Sequence, residues 1–186
     1  MDRSEITVRP ANPDDVELIV RLIRELADYE ELAHECVADP TALAEHLFAS
    51  RPYAEVLIAL ASGSPAGFAL FFMTYSTFLT RPGIWLEDLF VVPDRRRTGV
   101  GRALLGRLAQ IASERGCGRL EWSVLDWNQP AIDFYERLGA RLMDGWTTCR
   151  VDGDALTALA RAPHAGAAGE AGGPRPHRAA PPRGRP

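Results

Sequence analysis

A run of arginines and glycines between residues 96 and 102 has the composition of an anion-binding loop. It reads Arg-Arg-Thr-Gly-Val-Gly-Arg, follows an apolar segment and precedes a stretch with helical periodicity. Glycines let successive backbone N–H groups converge on phosphate oxygens at the positive end of a helix, and arginines add charge-assisted hydrogen bonds. The run matches neither the lysine-bearing phosphate loop nor the G-x-G-x-x-G fingerprint. It predicts a phosphate-bearing ligand, and the alternative is an ordinary helix start with solvated arginines.

Two carboxylates and a tyrosine could hold an ammonium or move a proton. Glu87 and Asp88 interrupt the otherwise apolar run 84–92, where a buried carboxylate is unfavourable unless it meets a cation or relays a proton. Since side chains alternate along a strand, one of the two is expected to point outward, and we expect this to be Asp88. Tyr135 has an ordinary pKa of about 10 and can donate a proton at neutral pH. The alternative is that Tyr135 simply packs in the core with Phe134.

The cysteines and histidines do not have the spacing of a known site. Cys36, Cys117 and Cys149 are odd in number and widely separated, and the four histidines lack metal-ligand spacing, so we predict no disulfide framework and no metal. Cys117 or Cys149 could be proposed as an acyl carrier, but neither has an adjacent histidine, and we expect buried structural thiols in apolar strands. This use of cysteine fits a reducing cytoplasm.

The elements that position these groups alternate between strands and helices. Alternation predicts strands at 6–9, 53–60, 67–75, 84–92, 120–124 and 146–151, and helical spacing predicts helices that begin near residues 12, 39, 98 and 130. The fold class is therefore mixed α/β. Beyond residue 162, Gly, Pro, Ala and Arg dominate, and this composition cannot bury enough apolar surface to fold. We expect one domain over 1–160 and a disordered tail over 161–186.

The charge distribution favours a small cationic ligand. The formal net charge is −4, but residues 1–160 contain 16 arginines and 24 acidic residues and therefore carry −8. An acidic body concentrates cations and disfavours nucleic acid. The first residues are polar, and no apolar run approaches the roughly 18 residues that a membrane span needs, so we predict neither a leader peptide nor a membrane segment.

Several segments, in the right order, resemble the GNAT superfamily of N-acetyltransferases. The R-x-x-G-x-G pattern from Arg96 resembles the pyrophosphate loop of that superfamily, and the resemblance covers most of residues 5–151. Within the superfamily, the sequence is most similar to the diamine (spermidine/spermine, thialysine) branch. The segments that show this are Tyr29-Glu30, Thr74-Tyr75, LEDLFV at 86–91 and DWNQPAIDFY at 126–135. Arg97 departs from that branch, which usually has glycine there. The resemblance implies a twisted, mostly antiparallel sheet of about six to seven strands, helices on both faces, and a homodimer.

The resemblance also implies an activity and a site. Acetyl-CoA would be the cosubstrate, and the acetyl group would pass directly to a small cationic diamine, polyamine or thialysine-like acceptor. The expected cofactor contacts are Leu89, Phe90 and Val91 along the pantetheine, Arg96, Arg97, Thr98, Gly99, Val100, Gly101 and Arg102 at the pyrophosphate, and Asn128, Gln129, Pro130 and Ala131 in the next loop. The expected acceptor contacts are Tyr29, Glu30, Glu87, Glu121, Trp122, Ser123 and Asp144. Tyr135 would protonate the leaving thiolate, and Glu87 would bind and help deprotonate the ammonium.

Two other functions are compatible with these residues. An enzyme with the same fold and cofactor could acetylate a protein N-terminus, a lysine side chain or an aminoglycoside. A non-catalytic acyl-CoA-binding module is the other alternative, which the presence of both Glu87 and Tyr135 weakens. Without the resemblance, Tyr29-Glu30 would be interpreted as a solvated helix end.

Overall fold

The computed structural model describes residues 5–161. Residues up to Tyr135 form one compact unit, and those from Glu136 onward belong to a second. The predicted disordered tail lies outside the described residues except for Arg161, so the domain limits stay a prediction. Within residues 5–161, no helix is long and apolar enough to cross a membrane.

Strands and helices alternate in the first unit as the sequence predicts. Its strands are β1 (Ile6–Pro10), β2 (Glu55–Ala61), β3 (Ser64–Ser76), β4 (Arg81–Val91) and β5 (Leu120–Trp122). Its helices are α1 (Val16–Tyr29), α2 (Pro40–Phe48) and α3 (Val100–Glu114), and α4 (Gln129–Arg137) runs across the limit between the units. Short 3₁₀ turns lie at Pro13–Asp15, Ala33–Glu35 and Pro93–Arg95.

The first two predicted helix starts, at Asn12 and Asp39, are confirmed by their caps. The Asn12 side chain accepts from the Asp14 backbone N–H at 2.9 Å, and the Asp15 carboxylate accepts from the Asn12 backbone N–H at 2.8 Å. The Asp39 side chain likewise accepts from the Ala42 backbone N–H at 2.7 Å. These bonds satisfy backbone donors that have no partner in the first turn of a helix.

The strands form one sheet in the order β1-β2-β3-β4-β5. All neighbours are antiparallel except β4 and β5, which are parallel. The β3–β4 register shifts between Leu70, which faces Asp88, and Phe71, which faces Leu86, so that Glu87 is an extra residue in a β-bulge. The mixed α/β class and the mostly antiparallel sheet are confirmed.

Helices cover both faces of the sheet. Val56 and Ile58 of β2 pack with Ile19 and Leu22 of α1 in one buried cluster. Leu57, which lies between them and must point to the opposite face, is only 2% exposed. That opposite face is covered by α3, which contacts β1 to β4.

The second unit differs from the prediction. The segment 146–151, predicted as a strand, has no regular structure, and the helix α5 (Gly153–Arg161) was not predicted. Trp146 is 78% exposed and Val151 50% exposed. A strand needs a neighbour to satisfy its backbone groups, and this segment pairs with no strand in the described part of the chain, so the sheet has five strands rather than six or seven.

The expectation of buried thiols in apolar strands is also wrong. Cys149 is exposed in the irregular segment, and Cys117 is half-buried between α3 and β5 along the chain. Cys36, Cys117 and Cys149 are all free thiols.

Candidate active site

After its bulge, β4 presents an open backbone edge. Its pairing with β5 ends at Leu86 and Trp122, and among residues 5–161 the part of β4 after Glu87 pairs with β3 alone. The Val92 N–H donates to the Ala66 carbonyl of the β3 side at 3.0 Å, and amide groups alternate between the two edges of a strand. The amides of Leu89 and Val91 therefore point to the open edge, where an extended ligand could bond to them as a strand would.

The loop after β4 leads into the N-terminus of α3 with two left-handed residues. Gly99 has a φ of 106° and Arg97 a φ of 64°. Glycine adopts such angles freely, whereas other residues are strained there, so the backbone gives a reason for the glycine that usually replaces Arg97 in the diamine branch. The Thr98 hydroxyl fixes the loop by donating to the Arg95 carbonyl at 2.6 Å.

The start of α3 has the free donors that an anion site requires. Among residues 5–161, the backbone N–H groups of residues 98–102 donate to no other residue. The side chains of Arg97 and Arg102 are exposed beside them. Unpaired N–H groups at the positive end of a helix, flanked by guanidinium groups, fit a pyrophosphate.

Gly101 is required neither by its backbone angle nor by a close contact. A Cβ added there would lie 3.4 Å from Phe134 Cζ and 3.7 Å from Val91 Cγ2, which are ordinary contact distances. There is thus room for a Cβ at Gly101 between α3 and its neighbours α4 and β4, and Gly101 adopts no left-handed conformation. Of the two loop glycines, only Gly99 requires glycine for its backbone.

The side chain of Arg96 is engaged inside the protein rather than exposed like those of Arg97 and Arg102. Its Nε donates to the Val91 carbonyl at 3.2 Å. Its Cζ lies 4.2 Å from the centre of the Tyr29 ring and 5.8 Å from that of Phe90. Sequence reasoning missed this contact because Arg96 and Tyr29 are remote along the chain and no local pattern connects them.

Tyr29 connects the end of α1 to the start of α4. Its hydroxyl donates to Asn128 Oδ1 at 3.2 Å, and its ring centre lies 6.0 Å from that of Trp127. Asn128 is 7% exposed, and the same oxygen accepts from the Ala131 N–H at 3.4 Å. Asn128, which we predicted to contact the cofactor, therefore bonds to Tyr29, which we predicted to contact the acceptor substrate.

The remaining residues of that loop are more peripheral. Gln129 is exposed, and its side-chain amide donates to Asp133 Oδ1 at 2.6 Å on the outside of α4. Pro130 is exposed as well.

Tyr135 is buried next to Trp122. It is 8% exposed, and its ring centre lies 5.0 Å from that of Trp122. Burial, followed by the charges of Glu30 and Tyr29, raises the pKa of Tyr135 to about 12. The hydroxyl is therefore protonated at neutral pH.

The exposures of the two carboxylates of β4 are the reverse of our expectation. Glu87 is exposed and accepts from Trp85 Nε1 at 2.8 Å, whereas Asp88 is half-buried. Burial, and then the charges of Glu87 and Glu30, raise the pKa of Asp88 to about 6. The expectation that Asp88 points outward is wrong, because the extra residue in the bulge shifts the alternation and places Asp88 on the α1 face opposite Leu70.

The structure thus connects four residues electrostatically: Tyr29, Glu30, Asp88 and Tyr135. The charge of Glu30 contributes to the raised pKa of both Asp88 and Tyr135, and Tyr29 contributes to that of Tyr135. Burial also raises the pKa of Glu30. Asp88 was not among the predicted site residues. Its position after the bulge is the signal that would have identified it, and this bulge is set by the pairing with β3 rather than by local sequence.

Three predicted acceptor residues are not part of this group. Glu121 is paired with Arg119 at 2.6 Å. Ser123 is exposed after β5, and Asp144 is exposed in the second unit. Within residues 5–161, no cluster of three His, Cys, Asp or Glu side chains could hold a metal ion.

Comparison with known proteins agrees with this geometry. The sequence profile of the Acetyltransferase (GNAT) family matches residues 20–140. The chain is 36% identical to a thialysine N-epsilon-acetyltransferase of Sus scrofa, over 84% of this chain and 98% of that protein. It is also 36% identical to an L-ornithine N5-acetyltransferase of Arabidopsis thaliana, over 82% of this chain and 86% of that protein.

A solved structure shares the fold. An integron cassette protein from the mobile metagenome of V. cholerae aligns with a TM-score of 0.71 and 26% identity, over 84% of this chain and 98% of that chain. With the profile match and the two acetyltransferases, this places the chain in the GNAT family, as an N-acetyltransferase that resembles the diamine branch.

Proposed function

We propose that this enzyme transfers an acetyl group from acetyl-CoA directly to one amine of a small acceptor that carries a second charged group, such as a diamine, a polyamine or a thialysine- or ornithine-like amino acid. The observation that carries this proposal is that Tyr29, next to Glu30, contacts both the helix that carries Tyr135, through Asn128, and the open edge of β4 after Asp88, through Arg96. This arrangement combines negative charge for an ammonium with a protonated hydroxyl for a leaving thiolate.

The cofactor follows the backbone of β4 and α3. The pantetheine bonds to the amides of Leu89 and Val91 on the open edge, and the pyrophosphate accepts from the free N–H groups at the start of α3. The guanidinium groups of Arg97 and Arg102 add charge-assisted bonds from the solvent side. Acetyl-CoA supplies the thioester that the reaction consumes.

The acceptor lies against the carboxylates. Asp88 and Glu30 hold a charged ammonium, since an opposite charge in a partly dry environment interacts more strongly than in water. Glu87, exposed at the bulge, accepts the proton that the reacting ammonium must lose and passes it to solvent. A neutral amine nitrogen then attacks the thioester carbon.

Tyr135 completes the transfer. As the C–N bond forms and the C–S bond breaks, the sulfur leaves as a thiolate and takes the proton of the Tyr135 hydroxyl. The nitrogen becomes positively charged when it attacks, and the extra proton that it then loses restores the Tyr135 hydroxyl. The raised pKa of Tyr135 keeps this proton available over the whole physiological pH range. The products are the N-acetylated amine and CoA.

A substrate panel tests this function. Acetyl-CoA turnover is measured with thialysine, ornithine, putrescine, spermidine, single-amine controls, an aminoglycoside and a peptide with a free N-terminus. We expect acceptors with two charged groups to have the highest kcat/KM. Equal turnover of uncharged single amines would contradict the acceptor class, and CoA binding without turnover of any amine would favour a non-catalytic module.

We further propose that the enzyme works as a homodimer in the cytoplasm. The dimer is supported by the resemblance to the diamine branch, and the location by the three free cysteines. Sedimentation at enzyme-assay concentration tests the dimer, and a monomer with full activity would contradict it.

A further inference from the structure

We propose that Arg96 is a positioning residue that links the cofactor edge of β4 to the acceptor pocket, acting through Tyr29, rather than a ligand of the pyrophosphate. This inference rests on the proposed function. It assigns the first arginine of the loop a role different from that of Arg97 and Arg102, although the three lie within seven residues.

The contacts of the Arg96 side chain support this role. Its Nε donates a hydrogen bond to the Val91 carbonyl, which lies on the same open edge to which the pantetheine is proposed to bind. Its guanidinium carbon lies over the ring of Tyr29, with Cζ 4.2 Å from the ring centre. A cation at this distance is attracted to the negative face of the ring, and burial strengthens the attraction. Arg97 and Arg102 are exposed instead and remain available to a ligand.

Tyr29 extends these contacts to α4, the helix that carries Tyr135. Its hydroxyl donates to Asn128, and the same Asn128 oxygen accepts from Ala131 in the first turn of α4. Tyr135 lies further along that helix. Arg96 therefore fixes the ring of Tyr29, Tyr29 fixes Asn128, and Asn128 fixes the start of the helix that carries the proposed acid.

The consequence is a division of effects between the loop arginines. Loss of the Arg96 guanidinium frees Tyr29 and the Val91 carbonyl, which disturbs acceptor binding and the alignment of Tyr135. Loss of the Arg97 guanidinium removes charge from the phosphate site and leaves Tyr29 in place. The two variants are therefore expected to change different kinetic constants.

The test compares Arg96→Met with Arg97→Met, and uses Arg107→Met on the outer surface of α3 as a control. Steady-state kinetics with the best diamine gives kcat and both KM values, and calorimetry gives the CoA dissociation constant. We expect Arg96→Met to lower kcat/KM for the amine about tenfold, the size of one partly desolvated cation–π contact, while CoA affinity changes by less than about threefold. Arg97→Met is expected to weaken CoA binding, and Arg107→Met to match the wild type. Arg96→Met that weakens CoA binding as much as Arg97→Met does would overturn the proposal.

A double-mutant cycle with Tyr29→Leu tests whether Arg96 acts through that ring. If it does, Arg96→Met lowers kcat/KM by less than about twofold in the Tyr29→Leu background, because the contact is already lost. Arg96→Lys, which retains the charge, is expected to recover part of the activity in the Tyr29 background. Fully multiplicative losses in the cycle would overturn the proposal.

A spectroscopic measurement separates this inference from the proposed function. The chain has four tyrosines, so fluorotyrosine labelling gives four ¹⁹F resonances, of which Tyr29→Phe assigns one. Arg96→Met is expected to shift the Tyr29 resonance and to leave those of Tyr53 and Tyr75 unchanged. If the wild type acetylates no amine, the proposed function fails, yet a Tyr29 shift with unchanged CoA affinity still supports the link. An unshifted Tyr29 resonance overturns it.

Discussion

The two halves of the proposed site, for the cofactor and for the acceptor, are constructed in different ways. The cofactor half consists of contiguous backbone, from Leu89 through the loop to Arg102, and its donors are amide groups fixed by one strand and one helix. The acceptor half consists of side chains from four separate segments, namely the end of α1, the bulge of β4, β5 and α4. Backbone donors depend on local geometry, whereas a side-chain pocket depends on packing between remote elements. The cofactor half is thus expected to respond to backbone changes and the acceptor half to single chemical groups.

The largest expected effect is the loss of one hydroxyl in the acceptor half. Tyr135→Phe keeps the ring beside Trp122 and removes the proton that we assign to the leaving thiolate. Since positioned acid catalysis contributes about 10²–10⁴-fold, kcat is expected to fall by that factor with little change in CoA affinity. Steady-state kinetics and calorimetry measure the two quantities, with the exposed Tyr53→Phe as the control. A kcat near that of the wild type would leave Tyr135 as a packing residue.

The cofactor half is expected to depend on backbone conformation at one glycine and not at the other. Gly99→Ala puts a Cβ on a residue with φ 106°, which costs about 1–2 kcal/mol, and the distorted loop is expected to weaken CoA binding about tenfold. Gly101→Ala meets only ordinary contacts and replaces a helical glycine, so stability is expected to stay level or rise by up to about 1 kcal/mol.

Urea unfolding and CoA calorimetry on this pair of variants measure both effects. Equal losses of CoA affinity in the two variants would mean that glycine is needed at both positions to leave space for the ligand, rather than at Gly99 to allow its backbone conformation.

Asp88 tests the electrostatics of the acceptor half. Its pKa is raised from 3.8 to about 6 in the folded protein, so between these pH values the folded state binds more protons than the unfolded state. Stability is therefore expected to fall as pH rises through this window, and the penalty is complete above pH 6. One pKa unit corresponds to about 1.4 kcal/mol and the rise is about two units, so Asp88→Asn is expected to stabilise the protein by about 3 kcal/mol at pH 7 and by nothing at the acid end of the window.

The same substitution is expected to impair activity, because a neutral amide does not hold an ammonium. We expect kcat/KM for the diamine to fall and its decrease below pH 6 to disappear. Denaturant unfolding at several pH values and a pH–rate profile test both outcomes. A variant that is less stable than the wild type at pH 7 would show that Asp88 is held by favourable interactions.

The cofactor half was easier to predict from the sequence than the acceptor half, because its residues are contiguous. The strands and helices of the first unit follow from alternation, helical spacing and capping residues, and the phosphate loop follows from its glycines and its place between a strand and a helix. The bulge at Glu87 could not be predicted, because it results from pairing with Leu70 and Phe71 of another strand. For the same reason the assignment of Glu87 and Asp88 to inward and outward sides was wrong. The contact of Arg96 with Tyr29 was missed because it joins two elements that are distant in sequence.

The segment 146–151 shows the same limit. Its alternation fits a strand, but a strand also requires a neighbouring edge, which sequence spacing does not reveal. In the described structure this segment pairs with no strand, and its tryptophan stays exposed.

The smallest expected effect concerns Arg97, where backbone and charge act in one residue of the cofactor half. Its φ of 64° is unfavourable for a residue with a Cβ, whereas glycine adopts it without strain but has more freedom to lose on folding. Arg97→Gly is therefore expected to be more stable than Arg97→Ala by about 1 kcal/mol or less. Both variants lose the guanidinium and are expected to raise the KM for acetyl-CoA equally, by a few-fold. Thermal unfolding measures the first difference and kinetics the second. If Arg97→Ala were the more stable of the two, the left-handed conformation would be contradicted, whereas an unchanged KM in both would show that the exposed charge does not contact the pyrophosphate.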